Sequence, residues 1–140
     1  MINGIRKGKV YERKIVKRLS TKYNIVFKRV PMSGGFATGQ NVDNPVFKGD
    51  IFTENVDWNR EHNAVIECKC IKKLTLIDYV NYMKGTGIIF EWVKQCVEES
   101  KGMNFWLIFT YKNAKKNFII VGKKDSAITD IMFLEDWLAL

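Results

Sequence analysis

Val65-Ile66-Glu67-Cys68-Lys69-Cys70 is the stretch that decides the fold. Alternation along an extended chain puts Ile66, Cys68 and Cys70 on one face, and Val65, Glu67 and Lys69 on the other. The cysteines read as small core residues. The second face carries an acid and a base two residues apart in an otherwise buried strand. Burying charges without partners is expensive, so these two need partners or a function.

The neighbouring segments build a sheet around this strand. Upstream, Gly49-Asp50-Ile51-Phe52 begins a strand, and residues 54–62 read as a polar turn leading into the strand at 63–70. Residues 25–30 are predicted to be a strand stopped by Pro31. Before it, Tyr11, Ile15, Val16 and Leu19 form one stripe of an amphipathic helix over 5–22, with Glu12 at the edge of the stripe. Residues 32–47 form a long loop rich in Gly, Asn and Pro, of a length that is usually functional. Downstream, a short helix over 75–84 breaks at Gly85-Thr86-Gly87. Ile89, Trp92, Val93, Cys96 and Val97 predict a helix over 88–100. Strands over 104–111 and 117–121 are joined by the basic turn 112–116. The apolar tail 131–140 reads as a short helix packed on the body or on a second subunit. Short links favour an antiparallel meander for the first three strands, and the later helix allows a parallel crossover. The expectation is an α/β sandwich with a mixed sheet.

Length and composition agree. The 140 residues, 16.3 kDa, make one domain spanning 1–140, and 46% hydrophobic residues supply a core, which excludes global disorder. The formal charge is +8, with a pI near 9.4. Residues 1–30 carry ten Lys or Arg against one acid, Glu12, whereas the other 110 carry thirteen basic and fourteen acidic residues. Like charges at helical spacing repel, and a phosphate backbone explains why so local an excess is tolerated. Nucleic acid is the first partner implied, an acidic membrane surface the second. The longest uncharged apolar-rich stretch, 102–111, is ten residues, too short to span a bilayer. No secretory signal opens the chain, and Cys68 and Cys70 have poor disulfide geometry on one strand. A reduced, soluble, intracellular protein is expected, in the cytoplasm of a microbe or a phage-infected host.

If the second and third strands pair through the 54–62 turn, Asp50 lies beside Glu67. Two close carboxylates raise each other's pKa, and a divalent cation removes that penalty. Hard oxygen donors with open positions suit Mg²⁺, with Mn²⁺ as a substitute. Such a site activates water for attack on phosphorus, and Lys69 would orient or deprotonate that water or offset charge on the phosphate. A structural Lys–Glu ion pair is the competing reading. Other chemistry lacks support: His62 reads as a surface residue, no Cys-x2-Cys pair exists for zinc, and Gly85-Thr86-Gly87 lacks the rest of a phosphate loop. Trp92, Trp106 and Trp137 read as core or interface, and Trp58 as the candidate exposed contact. Gln95 reads as plain surface or as a polar residue of the site.

The pattern Asp50-x16-Glu67-Cys68-Lys69 resembles the PD-(D/E)XK nuclease signature, with Gly49 in place of the proline of the family name. The wider arrangement resembles its archaeal and phage-type Holliday-junction resolvases. That branch has an opening helix with a glutamate, here Gly8-Lys9-Val10-Tyr11-Glu12-Arg13, then a strand ending in Arg29-Val30-Pro31-Met32-Ser33-Gly34-Gly35. The resemblance covers residues 4–70 by motif and the rest by element order. It implies a restriction-endonuclease-like α-β-β-β-α-β core with a mixed central sheet flanked by helices. It implies that Asp50, Glu67 and the Cys68 carbonyl ligate metal, that Glu12 approaches it through water, that Lys69 is the catalytic lysine, and that Ser33 lies beside the site. DNA contacts are expected from Arg6, Lys7, Lys9, Arg13, Lys14, Arg29, Ser33, Gly34 and Gly35. A homodimer nicking opposing strands of a four-way junction is implied. Two alternatives stay open: an endonuclease of this fold acting on other branched or duplex DNA, and a non-catalytic basic nucleic-acid-binding protein.

Overall fold

The computed structural model describes residues 4–31, 48–124 and 129–140, with side chains from residue 8 onward except that of Thr129. The 32–47 loop, including Ser33, Gly34 and Gly35, lies outside the described residues, as do the side chains of Arg6 and Lys7. Among the described residues six strands form one sheet in sequence order: β1 (Lys28–Arg29), β2 (Ile51–Phe52), β3 (Ala64–Ile71), β4 (Asn104–Tyr111), β5 (Phe118–Gly122) and β6 (Thr129–Phe133). Five helices accompany them among the described residues: α1 (Gly4–Tyr23), α2 (Val56–His62), α3 (Leu76–Met83), α4 (Gly87–Ser100) and α5 (Leu134–Leu138). All neighbouring strands are antiparallel except β3 and β4, which run parallel. Parallel neighbours need a crossover, and α3 and α4 supply it.

Both faces of β3 and β4 are covered, which is why these strands are apolar on both sides. On one face the α1 stripe Tyr11, Ile15 and Leu19 packs with Ile66, Cys68, Trp106, Ile108, Ile119 and Val121. On the other face Ile89, Trp92 and Cys96 of α4 pack with Phe105, Leu107, Phe109 and Ile120. The period of two along β4 sends Trp106 and Ile108 to α1, and Phe105, Leu107 and Phe109 to α4. The antiparallel start and the parallel crossover follow the expectation.

Five local features differ from the expectation. Residues 54–62 are not a turn: residues 56–62 form α2, because the Asn55 side chain accepts from the Trp58 amide at 2.9 Å and Asn63 closes the helix at φ 45°. Trp58 is therefore buried, 6% exposed, and is no surface contact. His62, one turn on, is half-buried rather than a surface residue. Its ring lies 4.4 Å from that of Trp58 and 5.5 Å from that of Trp106. Burial lowers the His62 pKa below that of a free imidazole. The tail begins as a strand, since Thr129–Phe133 pairs with β5. Leu134 and Leu138 of the short helix that follows are buried on the chain's own core, the first of the two packings expected. Of residues 25–30 only Lys28 and Arg29 pair with β2.

If Trp58 is a core residue, Trp58→Ala should cost about 3–5 kcal/mol of stability. Urea denaturation would measure this. A loss below 1 kcal/mol would show the ring to be peripheral.

Candidate active site

β2 begins where the chain turns sharply into the sheet. Gly49 sits at φ +81°, and a Cβ there would lie 2.9 Å from Val65 Cγ1 and closer still to the Ile66 carbonyl oxygen. A side chain is thus excluded by both space and backbone conformation. Proline is excluded as well, because its ring holds φ near −65°. The departure from the proline of the family name has this physical cause.

The turn fixes Asp50. Its amide donates to the Ile66 carbonyl at 2.8 Å and its carbonyl accepts from the Val30 amide at 2.9 Å. Its Oδ2 accepts from the Cys68 amide at 2.8 Å. Asp50 is thereby pinned across the edge of β3, one residue from Glu67. In a strand the amide and carbonyl of a residue point to the same edge, so the Cys68 carbonyl shares that edge.

Glu67 is 7% exposed. Burial pushes its carboxyl well above the usual carboxylate range, and Asp50, through charge and a hydrogen bond, pushes it further. Glu99, on the last turn of α4, adds a hydrogen bond and charge in the same direction. The carboxyl of Glu99 in turn accepts from Gln95 Nε2 at 2.9 Å. Sequence reasoning missed Glu99, whose one local signal is its place four residues after Gln95 on the helix facing β3.

Glu12 approaches from α1. Its Oε1 accepts from Arg29 Nε at 2.9 Å, both side chains being largely buried. Burial raises the Glu12 pKa, the Arg29 hydrogen bond lowers it, and the charge of Asp50 raises it. Arg29, expected at DNA, is the partner that holds Glu12. Lys69 follows Glu67 on the same face of β3, is half-buried, and among the described residues has no ion-pair partner. The competing reading, a structural Glu67–Lys69 ion pair, is absent. Lys9, Arg13 and Lys14 are exposed on α1.

Among the described residues no three Asp, Glu, His or Cys side chains converge into a complete metal cage. Asp50, Glu67 and Glu99 form a chain of carboxyls instead. Two carboxylates and a main-chain carbonyl, with water and substrate oxygens to complete the shell, are a donor set that fits a small hard divalent cation. Such an ion would also relieve the repulsion that raises the Glu67 pKa.

Acids from two adjacent strands, meeting over a strand that also presents an unpaired lysine, are the arrangement of the PD-(D/E)XK nucleases. Comparison with known families agrees. The profile of the family described as "Phage putative PDDEXK endonuclease" matches residues 3–137, and the chain belongs to that family. No curated protein and no solved structure matches the chain. No described helix is long and apolar enough to cross a membrane.

The raised Glu67 pKa has a definite sign in stability. Folded Glu67 binds its proton more tightly than the unfolded chain does. Its contribution is complete below the unfolded pKa of about 4.5 and is lost as pH rises toward the folded value. Glu67→Gln, which mimics the protonated form, should raise the metal-free melting midpoint by about 3 °C or more at pH 8 and by less at pH 5. A difference that does not grow with pH would contradict the burial of an acid at this position. Differential scanning fluorimetry from pH 5 to 8 would decide.

Proposed function

We propose that this chain is a Mg²⁺-dependent DNA endonuclease, with Asp50, Glu67 and the Cys68 carbonyl holding the metal and Lys69 as the catalytic lysine. The observation that carries this reading is the Asp50 Oδ2 hydrogen bond to the Cys68 amide, which sets one carboxylate beside the buried Glu67. A bound divalent ion would lower the pKa of a coordinated water and draw charge from the phosphate. Lys69 would orient the attacking water and offset the charge developing on the phosphoryl oxygens. Water oxygen bonds to phosphorus, the bond from phosphorus to the 3′ oxygen breaks, and that oxygen takes a proton. The products are a 5′-phosphate and a 3′-hydroxyl. Glu12, oriented by Arg29, would reach the metal through water, and Ser33 would lie beside the site. Mn²⁺ would substitute for Mg²⁺.

The substrate proposed is the four-way DNA junction, supported by the order of the opening-helix glutamate and the Arg29-Val30-Pro31-Met32-Ser33-Gly34 motif. Lys9, Arg13 and Lys14, with Arg6, Lys7, Gly34 and Gly35, would contact its backbone. Cutting two opposed strands needs two sites, so a homodimer belongs to this reading. Leu134 and Leu138 of the tail are spent on the core. The exposed apolar side chains of Leu76, Ile77, Val80 and Met83 on α3 supply a surface of the right chemistry, with Asp78 the single charge on that helix.

A labelled junction and its component duplex, incubated with Mg²⁺ or EDTA, test the whole reading. Paired symmetric nicks in the junction alone are expected. Asp50→Ala should reduce the rate at least ~1,000-fold while leaving junction binding within a few-fold, because it removes a metal ligand and no DNA contact. Cutting of both substrates would retain the nuclease and reject junction specificity. Tight binding with no cutting under any condition would favour a non-catalytic DNA-binding protein.

A further inference from the structure

Charge along the sequence is concentrated in residues 1–30, and the fold assembles a second basic surface from segments about forty residues apart. β3 and β4 run in parallel register up to Ile71 opposite Tyr111. The Lys112 amide then donates to the Ile71 carbonyl at 3.0 Å. The chain leaving β3, with Lys72 and Lys73, therefore lies against the chain leaving β4, with Lys112 and Lys115. All four are exposed, and among the described residues none has an ion-pair partner.

The β4–β5 turn that carries Lys112 and Lys115 is braced. Asn113 takes the left-handed conformation at φ 68°. The Ala114 amide donates to the Tyr111 carbonyl at 3.0 Å, and Thr110 Oγ1 donates to the Lys116 carbonyl at 3.0 Å. This end of the sheet also meets α1, since Tyr11 Oη donates to Asn117 Oδ1 at 2.9 Å. Lys9 and Arg13 lie two residues either side of Tyr11 and are exposed. Lys72, the first residue past β3, follows Lys69 by three residues, about 10 Å of extended chain, or roughly three nucleotides of duplex rise.

We propose that Lys72, Lys73, Lys112 and Lys115 form a second phosphate-binding track. A duplex arm entering along α1 crosses the carboxyl ends of β3 and β4 and is held with one phosphate at Lys69. The proposal rests on the nuclease reading for the position of the scissile phosphate, and it adds a binding surface which that reading does not contain. The chemistry favours duplex DNA over an apolar partner: four cations sit at one sheet end with no acid paired to them, and backbone phosphates are the regular anions that match such a row.

The fold supplies its own control. The Lys124 amide donates to Asn104 Oδ1 at 3.0 Å, at the start of β4. Exposed Lys123 and Lys124 thus lie at the opposite end of the sheet, about 25 Å away along β4. Lys112→Ala/Lys115→Ala and Lys123→Ala/Lys124→Ala remove the same charge from the two ends. Binding of a short labelled duplex would be measured in EDTA at several salt concentrations. The first double variant should bind at least tenfold more weakly near 0.1 M salt, with its log–log salt slope shallower by about 2. The second should stay within about twofold of wild type, and Lys112→Arg/Lys115→Arg should restore most of the affinity. Equal losses in both alanine variants, or no loss in the first, would overturn the track, whether or not the wild type cuts DNA in Mg²⁺. A wild type that binds through this track and never cuts would overturn the nuclease reading alone.

Discussion

The hydrogen bond from the Cys68 amide to Asp50 Oδ2, 2.8 Å long, is the constraint on which the rest of the site depends. β2 pairs through two residues only, too few to hold a strand in place by its own ladder. Asp50 replaces that missing ladder with three bonds, to Val30, Ile66 and Cys68. The left-handed Gly49 is what lets the chain come close enough to make them. The bond does structural and chemical work together: it closes the edge of the sheet and sets a carboxylate beside the buried acid of the central strand.

The site then follows from electrostatics. Glu67 sits where ionisation is disfavoured by burial and by two further carboxyls, Asp50 and Glu99. Both effects favour the protonated form of Glu67. Such an arrangement is poor for stability, and a bound divalent ion would replace the proton and turn the repulsion into coordination. The Arg29–Glu12 ion pair is a different device. It uses Arg29 of β1 to point an acid from α1 toward the same edge.

Much of this was legible in the residues. α1, β3 and β4 are long and strongly patterned, so their faces could be read directly, and Glu67 stood out as an acid in an apolar strand. Asp50 could be placed because the link between β2 and β3 is short. The misreadings share a cause. Residues 56–62 carry five polar or charged letters around Trp58 and Val56, so α2 hides its buried residue; the informative signal was Asn55 three residues before Trp58. The run Ile131-Met132-Phe133-Leu134 is short and apolar, and periodicity alone does not tell a strand from a helix there. Glu99 and the meeting of the segments that follow β3 and β4 were invisible because they arise from tertiary neighbours, Glu67 with α4 and β3 with β4.

The central claim is that the edge between Asp50 and Cys68 is where a divalent ion binds. Titration of isotope-labelled protein with Mn²⁺, followed by amide relaxation in NMR, tests it most directly, since paramagnetic broadening falls off steeply with distance from the ion. The account predicts that the Asp50, Cys68 and Lys69 amides broaden first and that Mg²⁺ in excess restores them, while Lys124 at the far end of the sheet stays sharp. Broadening centred anywhere else, or none at millimolar Mn²⁺, would contradict it.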